Sequence, residues 1–204
     1  MKLSAGVRIA LVVLATLGLA PHGQAQEGPR VQLEPFAGLQ YGGSVDSLAF
    51  QAVYKFGSGL VYGGTLDLSM SEAFRLELLY SRQATELSQG TLPSFEIGVE
   101  RYMLGIQEEK GEKTRYFGTA LFGVTRFKPK DALLESLTKP ALGFALGAKF
   151  MPAKNLGLRF EARGFLTFVD SGGGVLCANG TCIFNFSGKT FWQGDLTGGL
   201  IFAF

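Results

Sequence analysis

The sequence predicts an all-β fold, an eight-stranded antiparallel up-and-down transmembrane β-barrel. Three observations predict it. Apolar and polar residues alternate with a period of two along eight segments of roughly 10–14 residues. The connections between them alternate between short and long. One face of the cleaner segments carries no charge while the other collects nearly all of it. A tilted membrane strand needs about 9–11 residues, so each segment is long enough to cross.

The first segment sets Val31, Leu33, Ala37, Leu39 and Tyr41 against Gln32, Glu34, Phe36, Gly38 and Gln40. The second sets Tyr62, Leu66 and Leu68 against Gly63, Thr65, Asp67 and Ser69, and the third Phe74, Leu76, Leu78 and Tyr80 against Arg75, Glu77, Leu79 and Ser81. Residues 94–107 form a fourth strand that loses phase at Glu100-Arg101, where a β-bulge is expected. Residues 114–127 form the fifth, with Tyr116, Ala120, Phe122 and Val124 on one side. In the sixth, Leu142, Phe144, Leu146, Ala148 and Phe150 alternate with Gly143, Ala145, Gly147, Lys149 and Met151. The seventh opposes Leu158, Phe160, Ala162, Gly164, Leu166 and Phe168 to Arg159, Glu161, Arg163, Phe165, Thr167 and Val169. The last runs from Gln193 to Phe204, with Leu196, Leu200, Phe202 and Phe204 on one face.

Short turns fall near Ser71-Glu72, from Gln107 to Lys113 and from Pro152 to Asn155, and longer loops at 43–58, 86–94, 128–139 and 170–190. Short turns on one rim and long loops on the other are the outer-membrane pattern. The faces decide which way round the barrel is built. A soluble ligand-carrying barrel is apolar inside; a membrane barrel puts its apolar face towards lipid. The charged face collects Glu34, Asp67, Arg75, Glu77, Lys149, Arg159, Glu161, Arg163 and Asp195, and Arg101 joins them if it points inward. An eight-stranded interior is only wide enough for side chains to fill. These charges must therefore pair, as a plug, or exchange partners around water, as a permeation path. The narrow diameter favours the plug.

Residues 1–25 read as a cleaved export signal, with Lys2 and Arg8 ahead of an apolar stretch from Ile9 to Ala20 and small residues at Gly23 and Ala25. Residues 26–204 then form one barrel domain. Removing the signal takes two bases and no acid, which leaves 17 of each and a net charge of zero, against a nucleic-acid binder. It also takes His22, the sole histidine. Without histidine, the usual Ser-His and Cys-His nucleophiles and His-ligated metals are excluded, and no enzyme activity or cofactor is expected. A glycosidase-like use of the carboxylates fails because no sugar reaches the inside of a narrow barrel. Gly188-Lys189-Thr190 fails as a phosphate loop because Ile183 stands where a glycine is required.

Cys177 and Cys182, in Cys-Ala-Asn-Gly-Thr-Cys, are expected to form one disulfide in the last long loop of an exported chain. Tyr41, Tyr62, Tyr80, Tyr116 and Trp192 lie near strand ends, as an interfacial aromatic girdle would. The apolar stretch Leu48–Tyr54 either extends a hairpin above the membrane or presents a binding surface.

At this point the chain resembles the small eight-stranded outer-membrane β-barrels of Gram-negative bacteria, over its whole mature length. The most specific piece is the C-terminal strand Thr197-Gly198-Gly199-Leu200-Ile201-Phe202-Ala203-Phe204, similar to that family's assembly signal, with Thr197, Gly199, Phe202 and Phe204 as its marks. The resemblance implies outer-membrane lipid and the outer-membrane insertion machinery as partners. It also implies a location in the cell outer membrane and no assigned activity. The expected function is non-enzymatic, structural or loop-mediated binding of an unidentified extracellular ligand, by a monomer with a charge-plugged lumen. The alternative is a narrow, porin-like channel or transporter for ions or small apolar molecules.

Overall fold

Strict period-two patterning becomes a sheet whose faces separate completely, because successive side chains of a strand leave on opposite sides. The computed structural model describes residues 31–47, 51–88, 95–130, 135–169, 177–178, 181–182, 184–185 and 190–204. The proposed signal segment lies outside them. Thirteen strands follow one another: β1 (Val31–Tyr41), β2 (Ser44–Ser47), β3 (Ala52–Phe56), β4 (Gly59–Ser69), β5 (Phe74–Ser88), β6 (Phe95–Lys110), β7 (Thr114–Pro129), β8 (Leu137–Phe150), β9 (Leu156–Phe168), β10 (Cys177–Ala178), β11 (Thr181–Cys182), β12 (Phe184–Asn185) and β13 (Thr190–Ala203).

Eight of them, β1, β4 to β9 and β13, close a barrel in which each strand pairs antiparallel with its neighbours in that order, β13 returning to β1. At the seam, the Phe204 amide donates to the Val31 carbonyl at 2.9 Å. The Asn155 side chain ties the neighbouring turn to the Ala203 carbonyl, also at 2.9 Å. Closure leaves no unpaired edge, which is the condition for a sheet to sit in hydrocarbon.

The expected bulge at Glu100-Arg101 is absent. The β5–β6 register runs unbroken from Phe74↔Glu108 to Leu87↔Phe95, and β6–β7 from Ile97↔Pro129 to Lys110↔Tyr116. Phase is kept because Arg101 turns inward and Glu100 outward, where it stands in register between the outward Arg82 and Arg126. The strands also outrun expectation, β6 and β7 each reaching 16 residues. The extra length of β6, Glu108–Lys110, lies at the turn rim, while β5 to Ser88, β7 to Pro129 and β8 from Leu137 run into the loops expected at 86–94 and 128–139, which are therefore partly strand.

The opposite rim carries the tight turns, at 70–73, 111–113 and 151–155. Gly111 takes a φ of 119° in the second of them, a conformation that side-chain-bearing residues rarely adopt. Other glycines make room inside the barrel. A Cβ on Gly147 would stand 2.4 Å from the Phe117 ring, and one on Gly63 2.9 Å from the tip of Phe36. Large inward rings facing glycine fill the narrow bore at these levels.

Candidate functional site: a closed lumen

The inward face of the turn-side half is polar and almost wholly buried, so its charges can be solvated only by one another. Two cations organise it. Lys149 Nζ lies 2.8 Å from Glu34 Oε1, Asp67 Oδ2 and Glu109 Oε1, and donates to Gln32 Oε1 at 3.1 Å. Arg159 donates through Nη2 to Glu77 Oε2 at 2.8 Å and Glu161 Oε1 at 3.0 Å, through Nε to Glu161 Oε2 at 3.0 Å, and through Nη1 to Glu34 Oε2. Its Nη1 also stands 3.5 Å from Asp67.

Around this centre Gln107 donates to Glu77 at 2.7 Å, Thr65 to Glu34 at 3.2 Å, and Arg75 pairs with Glu109 at 3.1 Å. Arg163 pairs with Glu161, and its guanidinium lies 4.1 Å above the Phe36 ring. Arg159 lies 4.3 Å above Phe117. Stacking of this kind gives a desolvated guanidinium face an electrostatic partner where no oxygen reaches. Side chains from β1, β4, β5, β6, β8 and β9 thus meet across the bore. Chains of charge-assisted hydrogen bonds in low dielectric rigidify whatever they join.

Above the ions sits an apolar layer of Phe36, Leu79, Met103, Leu121, Ala141 and Phe165. The loop-side half is polar again but less completely paired. Arg101 is fully buried, donates to the Gln193 carbonyl oxygen, and lies 4.4 Å above Phe165. Asp195, opposed in register to Gln40 and Arg163, has neither carboxylate oxygen hydrogen-bonded within the protein, and the Gln40 amide and Ser81 hydroxyl are in the same position. Buried groups of this kind are the ones internal water serves.

The loop-side mouth is closed by rings. The β2–β3 hairpin continues the wall, β3 pairing with β5 and β2 with β12, and Phe56 reaches across the bore to pack on Phe191 with centroids 4.9 Å apart and on Phe127 at 6.2 Å, while Tyr54 is fully buried. Of the two expectations for the apolar stretch ending at Tyr54, the hairpin holds for its described residues, and Leu48–Phe50 lie outside them.

Every one of the nine lumen charges expected from the sequence faces inward and is buried, and Arg101 joins them. Asp195 stands apart from the ion cluster that gathers the other eight. Sequence reasoning missed Glu109, assigned to a turn. Its signal was there: with no bulge, the odd residues Arg101, Met103, Gln107 and Glu109 share the inward face. It also missed the aromatic cap, because nothing in a long loop's composition says that it folds inward.

Outside the barrel the expected girdle residues are all exposed, Tyr41, Tyr62, Tyr80 and Trp192 towards the loop rim and Tyr116 towards the turns. Phe202 and Phe204 point outward, while Thr197 and Gly199 face the lumen. The backbones of Cys177 and Cys182 are opposed in the short β10–β11 ladder, and their side chains lie outside the described residues. Among the described residues, no three His, Cys, Asp or Glu side chains converge as a metal site.

No family model and no curated protein matches the sequence. The fold has close counterparts among solved structures. The Neisserial surface protein A structure superposes with a TM-score of 0.60 at 14% identity, covering 87% of this chain and all of that one. The outer-membrane protein OprG of Pseudomonas aeruginosa gives 0.52 at 13% identity, over 89% of this chain and all of its own. The outer-membrane protein AlkL, solved in lipid bilayers, gives 0.52 at 14% identity, over 91% and 95%. The fold of this chain is that of the small eight-stranded outer-membrane barrels.

Proposed function

We propose, from a fold shared with outer-membrane barrels, that this protein is an integral outer-membrane barrel with a closed lumen, non-enzymatic, acting through envelope structure or through its loops. The observation that carries the reading is the Lys149–Arg159 network, which fills the bore with ions whose partners come from six strands. An ion crossing this layer would have to part contacts of 2.8–3.0 Å in a site without competing solvent. The Phe56, Phe127 and Phe191 rings add a second, dry barrier at the other end. Cleavage after residue 25, insertion guided by Phe202 and Phe204, and a Cys177–Cys182 disulfide belong to the same proposal.

The test is passive ion leak from sealed vesicles containing protein shown to be folded by its unboiled gel mobility. The expected result is the leak of empty vesicles; a leak that scales with folded protein favours the second reading. That reading, a narrow channel, is supported by the unpaired polar atoms of Gln40, Ser81 and Asp195 in the loop-side half.

A further inference from the structure

The outward Glu100 that breaks the sequence pattern belongs to a set of lateral rows on the β4–β7 wall. Its own row reads Tyr62, Arg82, Glu100, Arg126 in direct cross-strand register. One row nearer the loop rim stand Ala84, Gly98 and Lys128. The small residues there floor a groove of about 690 Å³ lined by three cations, Arg82, Lys128 and Lys130, and two acids, Glu86 and Glu96. Two rows on the turn side of Glu100 read Gly64, Tyr80, Tyr102, Val124 and then Leu66, Leu78, Leu104, Phe122. These line a second, apolar groove of about 650 Å³, opened where Gly64 has no side chain.

Rows are about 7 Å apart along a strand, so the charges sit one row above the tyrosines. The Tyr80 and Tyr102 rings touch, centroids 5.2 Å apart, and the Tyr102 hydroxyl reaches Glu100 at 3.4 Å. Tyrosines of this kind mark the level where hydrocarbon gives way to headgroups. A cationic groove directly over an apolar one, with that boundary between them, matches the division of one lipid molecule.

The geometry points to a site for a phosphorylated lipid of the surrounding leaflet, its phosphate held by Arg82, Arg126 and Lys128 and its acyl chains lying along Leu66, Leu78 and Phe122. The acids on this wall are accounted for. Glu96 is held by Lys130 at 2.5 Å, and Glu100 orients Arg82 at 3.9 Å. Glu86 stands opposite Glu96 in register and lines the loop-side end of the groove with it, leaving the three cations in excess by one. Arg126 donates through Nη2 to the Ser136 hydroxyl at 3.3 Å, a neutral partner that leaves its charge uncompensated there. The inference rests on the membrane reading above, but not on whether the lumen conducts.

The experiment is native mass spectrometry of the folded barrel released from phosphatidylcholine nanodiscs doped with lipid A, a bisphosphorylated glycolipid. The expected result is retention of lipid A over phosphatidylcholine. Retention should fall about fivefold for each cation removed in Arg126→Ala, Lys128→Ala and the double variant. Lys110→Ala/Lys113→Ala at the turn rim should leave it unchanged. Dephosphorylated lipid A should be retained no better than phosphatidylcholine, a comparison on unaltered protein that stands if a variant fails to fold. Equal retention by the double variant and the parent would overturn the site. Loss of lipid A to added inorganic phosphate would reduce it to a phosphate site, and a dimer mass without bound lipid would assign the wall to a second copy. Either would overturn the lipid assignment.

Discussion

Arg159 and Arg101 are both fully buried arginines in one bore, and their surroundings give them opposite weights. Arg159 makes charge-assisted contacts to Glu34, Glu77 and Glu161, so its removal strands carboxylates in a site with no solvent of its own. Breaking a buried pair from one side costs about 3–5 kcal/mol. Arg159→Met should lower the unfolding free energy by that order. Arg101 donates to one neutral amide and rests on Phe165, among groups with spare hydrogen-bonding capacity. Arg101→Met should cost about 1 kcal/mol, the size of a single hydrogen bond. Urea titrations of the two variants in the same bilayer check both; equal losses would mean that the loop-side half is as tightly paired as the turn-side half.

At the scale of the element, the strands were legible wherever one face met lipid and the other met the lumen, because burial on two different sides imposes a strict period of two. The last strand, from Gln193 to Phe204, reads in the structure as it does in the sequence. The strand carrying Glu100 did not, since a charge on the outer face looks like a phase slip unless the nearby interface is known. Glu109 was hidden because the turn was expected to begin at Gln107, whereas β6 runs on to Lys110. The aromatic cap was illegible because Phe56 and Phe191 meet only through the barrel's closure. The assembly role given to the last strand is testable. Deleting Phe204, which is outward and 71% exposed, removes no lumen contact and only the two terminal backbone hydrogen bonds to Val31 at the end of the seam, so the barrel should still form in detergent. It should nevertheless lower the amount of protein inserted in cells; normal insertion would detach the C-terminal residue from assembly.

For the whole molecule, the two rims differ in kind: tight turns and the paired ends of β1 and β13 at Val31 and Phe204 on one, projecting strands and longer connections on the other. A barrel inserted with its long connections outward exposes them to the cell's exterior. Lys128 and Lys139 precede Pro129 and Pro140, which block trypsin, so trypsin added to intact cells should cut at Lys130 before Lys110 or Lys113, and the opposite order would invert the orientation. Between the rims the bore is layered as ions, apolar side chains, partly paired polar groups and rings, and the third layer has the most room in its hydrogen bonding for water. Closure of the lumen is the property from which the proposed loop-mediated role follows. Single-channel recording from folded protein in a planar bilayer, parent and Arg159→Ala side by side, tests it most directly. Silence from the parent is the predicted result; discrete steps in the parent whose size changes in Arg159→Ala would show that the ion layer lines an open path.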